Sequence, residues 1–402
     1  MKRFLFLLTV CTAALCASAS NRYITPEGNG TMDGKSWANA QSDIQNAIWS
    51  VGDGDTLFIA EGLYNQVFSV QDGQTILGGY NAATGKRDIE LYETIIDGTD
   101  KGTWIIVKYD NPPTSHILID GLTLQNAEHS HEGGAAFIRG NMTISNCHVI
   151  NCKGSNGGGF HVEQGSATVQ AEVKNCIIEL CSSTSSGGGI RNKGGLIENC
   201  IIRGCQGKYG TIRNEKGIVR NCVLYNNSAS VAGWPNSGGI FNEGGDVYNC
   251  TVCNNYGSQY AGYCTESGTV YNSVFWGNKA ADGFTEHVNV LSGSATGSNN
   301  VADDASTSSG YFLTPLLNAE NTNAAGPNFR NPTTFVGVPT DAGQIVAMQN
   351  ADFSITAASV ALRDKADASK APAKDIDGME RPKGGGYDVG AYEFGDDISV
   401  ET

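Results

Sequence analysis

The chain has 402 residues, of which 52 are Gly and only 10 are Pro. High Gly with low Pro and no Gly-X-Y period excludes collagen and a Pro-rich linker protein. Apolar residues at 40% can bury a core, whereas Lys+Arg 26 against Asp+Glu 41 leaves a net charge of −15, which argues against nucleic-acid binding because that needs basic surface to release counterions.

The first segment, 1–19, reads as a signal peptide. Lys2 and Arg3 give a positive start, an apolar run begins at Phe4, and Ala17-Ser-Ala19 fits a small-residue cleavage site, placing cleavage after Ala19. Cys11 and Cys16 follow Val10 and Leu15 rather than the small residue of a lipoprotein box. Loss of Lys2 and Arg3 takes the charge from −15 to −17. No later stretch has the ~20 continuous apolar residues of a membrane helix. The expectation is an exported protein, secreted or in the cell envelope, without a transmembrane segment.

Residues 20–114 read as an N-terminal cap with the first coils. Trp37, Ile44, Ile48 and Val51 share helical spacing and Gly52 ends the run, so the spacing predicts an amphipathic capping helix followed by a first strand, Thr56–Ala60. A cap is required because an open coil end is an unpaired sheet edge.

Residues 115–294 repeat themselves. Ile190-Arg-Asn-Lys-Gly-Gly-Leu-Ile-Glu-Asn-Cys200, Ile240-Phe-Asn-Glu-Gly-Gly-Asp-Val-Tyr-Asn-Cys250 and Tyr263-Cys-Thr-Glu-Ser-Gly-Thr-Val-Tyr-Asn-Ser273 align without gaps. The Asn before the Cys or Ser recurs at Asn146, Asn175, Asn199, Asn221, Asn249 and Asn272, at periods of 29, 24, 22, 28 and 23. Such variable periods with short β-type runs suit a coil of three short strands joined by loops of different length. In Val247-Tyr-Asn-Cys-Thr-Val252 the apolar alternation slips one place at Asn249, as a left-handed residue between two strands would cause, and Asn tolerates that conformation. The Gly clusters at 157–159, 187–189 and 238–239 mark a second sharp turn, where Gly supplies a positive φ. The fold expected is an all-β, single-stranded right-handed parallel β-helix. Residues 295–402 read as C-terminal coils and a loop-rich cap, with 295–350 mostly loops.

Two regions resemble known families. Asp53-Gly-Asp-Thr-Leu-Phe-Ile-Ala-Glu-Gly-Leu-Tyr64, Gly78-Gly-Tyr80, Lys86-Arg-Asp88 and Thr94-Ile-Ile-Asp-Gly98 resemble the entry region of secreted bacterial pectin-lyase-like β-helix proteins. Asp367-Ala-Ser369, Asp375-Ile-Asp-Gly378, Arg381-Pro382 and Asp388-Val-Gly-Ala-Tyr-Glu-Phe394 resemble the choice-of-anchor Q domain. The resemblance implies an exported protein of Bacteroides-type bacteria with a right-handed β-helix. It implies no set activity, although pectin-lyase-like folds host lyases that pair Ca²⁺-binding carboxylates with an Arg or Lys base, and hydrolases with paired carboxylates.

The repeat aligns two outward rows. His161, Arg191 and Arg213 form one, continued by Phe241 and Cys264; Glu163, Lys193, Glu215, Glu243 and Glu266 form the other. Stacked like charges are unfavourable, so the consecutive Glu residues call for either a groove holding a cation or sugar chain, or a solvated face with screened charge. The Glu128-His-Ser-His-Glu132 and Val231-Ala-Gly-Trp-Pro235 inserts would rim that groove, with Trp234 as a sugar-stacking platform. His161, Glu163, Glu215, Trp234, Glu243 and Glu266 are the candidate ligand-binding residues; Arg213, Arg191 and Glu215 are the best candidates for catalysis. Cys250-x-x-Cys253 lacks a second pair or suitably spaced His residues, so no metal site is expected. Asp375-x-Asp-Gly378 has Gly386 where a calcium loop needs its carboxylate, and its acids are expected to pair with Arg381. Ten cysteines outside 1–19 read as mostly buried thiols. The reading chosen is a non-catalytic, glycan- or partner-binding or structural surface protein needing no cofactor. The alternative is a polysaccharide lyase or glycoside hydrolase acting on acidic, pectin-like glycans, with Ca²⁺ in the lyase case.

Overall fold

The computed structural model describes residues 20–107, 112–165, 170–229, 237–281, 288–290, 295–302 and 326–395. The segment read as a signal peptide, 1–19, lies outside them. The described strands form four parallel sheets of eleven, ten, seven and nine strands, each built from one strand per coil. Met142–Ser145, His148–Ile150, Lys153–Gly154 and Phe160–Glu163 show one coil in order, and they define the first to fourth sheets. Strand Glu172–Lys174 then begins the next coil by pairing in register with Thr143, Ile144 and Ser145.

The fourth strand per coil corrects the expectation of three. Each coil has two left-handed corners where the sequence shows one clearly. Asn146, Asn175, Asn199, Asn221, Asn249 and Asn272 form the first column, with φ from 46° to 54°. Asn126, Asn151, Leu180, Gly204, Asn226, Asn254 and Gly277 form the second, with φ from 53° to 66°. The second column hid because Leu and Gly interrupt its Asn signal. Each corner turns the next residue inward. Cys147, Cys176, Cys200, Cys222 and Cys250 follow the first column, and Cys152, Cys181 and Cys205 the second, all buried.

Hydrophobic burial fixes the stack. Ile119, Ile144, Val173, Ile197, Val219, Val247 and Val270 occupy one inward column in strict register. All seven are at most 1% exposed, and β-branched chains suit such a pleated surface. A one-residue slip would throw the whole column outward, so the register is strongly specified.

The Gly clusters turn sharply, but for a different reason from the one expected. Of the glycines in these clusters only Gly157 has a positive φ, 95°. A Cβ on Gly158 would overlap the Gly188 carbonyl oxygen, and one on Gly188 would overlap the Gln206 main chain. Close approach between coils, rather than backbone handedness, requires Gly there.

At the N-terminal end a strand precedes the helix. Arg22–Ile24 pairs in parallel with Leu57, Phe58 and Ile59, so Thr56–Ala60 is the second strand, not the first. The expected helix is broken into a 3₁₀ turn, Trp37–Asn39, and an α-helix, Ile44–Trp49, because Ala40 is extended at ψ 143°. Asp43 caps the α-helix by accepting from Asn46 N–H, and the helix buries Ile44, Ala47 and Ile48.

At the other end the region read as loops contains an α-helix, Ala342–Gln349, capped by Asp341, which accepts from Gln344 N–H. The segment 326–395 lies along the flank of the later coils. Corner amides donate to its carbonyls: Asn226 to Phe335 at 2.7 Å, Asn272 to Asp367 at 3.0 Å and Asn299 to Lys365 at 2.7 Å. Among the described residues no helix is long and apolar enough to cross a membrane.

Candidate functional site

The outward face of the fourth sheet brings the two sequence rows together. Phe137, His161, Arg191, Arg213, Phe241 and Cys264 are direct partners across six successive coils. Arg139, Glu163 and Lys193 align two residues further on. Glu215, Glu243 and Glu266 continue that line, each N–H donating to the carbonyl of Asn192, Asn214 or Asn242 one coil earlier.

Consecutive Glu215 and Glu243 are tolerated because the Arg213 guanidinium lies between them. Arg191 Nε meets Glu215 at 2.7 Å, and Arg213 Nε meets Glu243 at 2.5 Å and Glu215 at 3.6 Å. Each Arg thus reaches one coil forward to a carboxylate. Glu163 sits between Lys193 at 2.6 Å and Arg139 at 3.4 Å. Burial alone would raise the Glu163 carboxyl, but the hydrogen bond and charge of Lys193, with His161 and Arg139, outweigh it and hold it low. These side chains are half-buried, not the solvated face that single positions suggest; Glu215 is 17% exposed and Arg213 23%.

His161 departs furthest from expectation, since it points outward yet is 2% exposed. Its Nδ1 is hydrogen-bonded to the Glu132 carboxylate, which that bond holds below the ordinary carboxylate range. The Phe137 ring packs 4.9 Å from the imidazole. Glu132 ends the insert that the sequence marks as a rim, and the same insert places His129 on Trp104 at a ring separation of 3.7 Å. Further along, Tyr209 lies 5.1 Å from the Arg213 guanidinium. Neither Tyr209 nor Trp104 carries a sequence signal, since both stand outside the repeat. Trp234 and the 231–235 insert lie outside the described residues.

Other candidates resolve as structure. Arg381 pairs with Glu393 at 3.2 Å, both side chains fully buried. It does not pair with the acids of the 375–378 motif as expected, because Asp375 is taken up by the N–H groups of Asp377, Met379 and Glu393. The ten cysteines among the described residues are buried and form no disulfide with one another. Burial pushes the Cys152, Cys176, Cys181 and Cys222 thiols well above their ordinary range, which disfavours the thiolate needed for metal binding or nucleophilic attack. Among the described residues no group of three or more His, Cys, Asp or Glu could hold a metal ion.

No protein-family model and no curated protein matches the chain. Among solved structures it is similar to the pectate lyase Pel9A, at a TM-score of 0.54 and 14% identity over 94% of this chain and 97% of that one. Weaker likenesses carry no argument: a pectin methylesterase bound to a hexasaccharide (TM-score 0.30, 12% identity, 71% and 80% covered) and XylC with xylose (0.32, 10%, 92% and 98%). At this identity the likeness to Pel9A shows the fold alone. The chain is a right-handed parallel β-helix of the pectate-lyase type.

Proposed function

We propose that the protein is an exported β-helix of the cell envelope or surface that holds a glycan or partner on its fourth-sheet face without transforming it. The observation that carries this reading is the engagement of the charges on that face. Arg191 and Arg213 are bound through Nε to carboxylates, which opposes the loss of a proton that a base must undergo. Glu132 and Glu163 are held low, so neither is the protonated acid that glycoside cleavage needs. The run at 1–19 and the Asp388-Val-Gly-Ala-Tyr-Glu-Phe394 ending support export.

The fold shared with a pectate lyase favours one second reading, a Ca²⁺-assisted lyase using Arg213 or Arg191 as base. Incubation with pectic and other acidic glycans, with and without Ca²⁺, separates the two. Binding without new unsaturated uronate ends is expected. Product formation that disappears in Arg213→Ala, with the fold intact by circular dichroism, would install the lyase instead.

A further inference from the structure

The outward face of the second sheet is covered over its later coils and open over its earlier ones. Ile201, Val223, Thr251, Val274 and Val301 are partners in one outward row. The last four are at most 1% exposed, because the segment 326–395 lays Met348, Phe353, Ile355, Leu362 and Val389 against that row. The same row continues the other way through Ile177, His148, Thr123 and Ile95 to Leu63. There Ile177, His148 and Ile95 are half-buried and Leu63 is 58% exposed.

The cover shows what kind of chain fits. Residues 365–374, Lys-Ala-Asp-Ala-Ser-Lys-Ala-Pro-Ala-Lys, carry three Lys against one Asp in an otherwise acidic protein. They run along the first corner column toward the earlier coils. Asn299 donates to Lys365 O, Asn272 to Asp367 O and Asn221 to Lys374 O. Such bonds hold main chain, which any extended segment supplies. Past Asn221 the segment turns away, and the Ile376 N–H donates to Ala391 O. The next corners are Asn199, which donates to Asn175 Oδ1, and Asn175 itself. Asn175 is exposed, and among the described residues its side-chain amide donates to nothing.

A cleft of about 320 Å³ opens at that corner. The row supplies Ile177, His148 and Thr123 to it, and the insert before strand Thr94–Asp97 supplies Ile89, Glu90 and Glu93. Gly62 N–H donates to Glu93 O, which sets the insert beside Leu63, and Leu91 within it is 66% exposed. At the other edge of the same sheet a second cleft, of about 780 Å³, is lined by Asp100, Asn126, Glu128 and Asn151. Carboxylates therefore line both edges, with Lys153 the only Lys or Arg in either lining.

We propose that this open strip docks an extended, basic polypeptide segment of another protein, laid along the first corner column as residues 365–374 are laid further on. Its main chain takes the Asn175 amide, its apolar side chains cover Ile177 and enter the cleft, and its Lys or Arg residues meet Glu90 and Glu93. A second copy of this chain is a poorer occupant, because a net charge of −15 repels a like-charged face. A saccharide lacks the apolar side chains to cover Leu63 and Leu91. The strip lies on a different sheet from the fourth-sheet face, so the docking does not rest on the glycan reading above.

Fluorescence anisotropy with the intact protein tests the strip. The probe is a labelled synthetic peptide of residues 365–374 carrying Ala371→Leu and Ala373→Leu, beside a counterpart that also carries Lys365→Glu, Lys370→Glu and Lys374→Glu. The basic peptide is expected to bind roughly fivefold or more tightly than the acidic one, and to weaken as salt rises. Glu90→Lys and Leu91→Ser change exposed side chains and leave the fold intact, and each should weaken the basic peptide roughly fivefold. Equal binding of the two peptides, no binding of the basic one at about millimolar concentration, or an affinity that neither variant alters overturns the proposal. Sedimentation of the protein alone tests the other occupant: a dimer that Leu91→Ser dissolves makes a second copy the partner and overturns the basic segment.

Discussion

At the residue scale, the corner asparagines carry the turn of every coil. Asn249 combines φ 46° with full burial, and its amide donates to Asp388 O at 3.2 Å and Gly390 O at 3.3 Å. Asn249→Ala loses those bonds and places a Cβ in the left-handed region, together costing about 2–4 kcal/mol. Asn249→Gly loses only the bonds, so chemical denaturation should show it roughly 1–2 kcal/mol more stable than the Ala variant. Equal losses would mean that backbone handedness contributes nothing at this corner. Leu180 keeps the same conformation at φ 56° without an amide, where it packs beside Met348, a local conflict that its tertiary contact offsets.

At the scale of elements, ion pairs tie strands and segments that the main chain leaves apart. On the outward face of the fourth sheet, Arg213 and Glu243 should show coupling of about 1 kcal/mol in a double-mutant cycle, because each single truncation strands a half-buried charge. A coupling near zero would return these residues to the status of screened surface charge. The C-terminal helix Ala342–Gln349 is clamped by Glu179, which accepts from Arg203 at 2.7 Å and Gln349 at 3.0 Å and pairs with His148 at 3.1 Å. Burial alone would raise the Glu179 carboxyl, but His148 and Arg203 outweigh it and bring it down to about 2, from an ordinary 4.5. A depressed carboxyl adds stability above its unfolded value and loses it as pH falls through the folded one. The clamp is then worth about 3 kcal/mol at neutral pH. Melting temperature should fall between about pH 4.5 and about pH 2, and Glu179→Gln should flatten that slope; an unchanged slope would place the acid sensitivity elsewhere.

At the scale of the whole molecule, the inner cysteines behave as a packing column. Cys176 Sγ donates to the Lys174 carbonyl at 3.2 Å and Cys200 Sγ to the Glu198 carbonyl at 3.2 Å, and Ser273 repeats the same bond to Tyr271 at 3.0 Å. A thiol and a hydroxyl thus exchange at one site, which is the behaviour of small buried side chains rather than of bridge formers. Alkylation after denaturation without reductant should therefore label most of the ten thiols. Labelling of two or fewer would show that bridges between coils are the rule. The same column logic extends to Asn227, Asn255 and Asn278, where each Oδ1 accepts the main-chain N–H one coil earlier.

The sequence by itself determined the periodic part of this protein. Asn and Cys at recurring positions, with apolar alternation between them, specify a turn and an inward face that any stacking must respect. That is why the β-helix, the first corner column and both outward rows of the fourth sheet were legible. Tertiary structure decided what no local period records. The second corner hid behind Leu180, Gly204 and Gly277, and the glycines at 158 and 188 answer to main chain from another coil. Arg191 pairs with a Glu 24 positions away, Glu132 crosses 29 positions to reach His161, and the 342–349 helix meets Glu179 across 170. Such contacts join an insert or a non-repeating tail to the coils, and their energy depends on burial and charge that exist only after the chain has stacked.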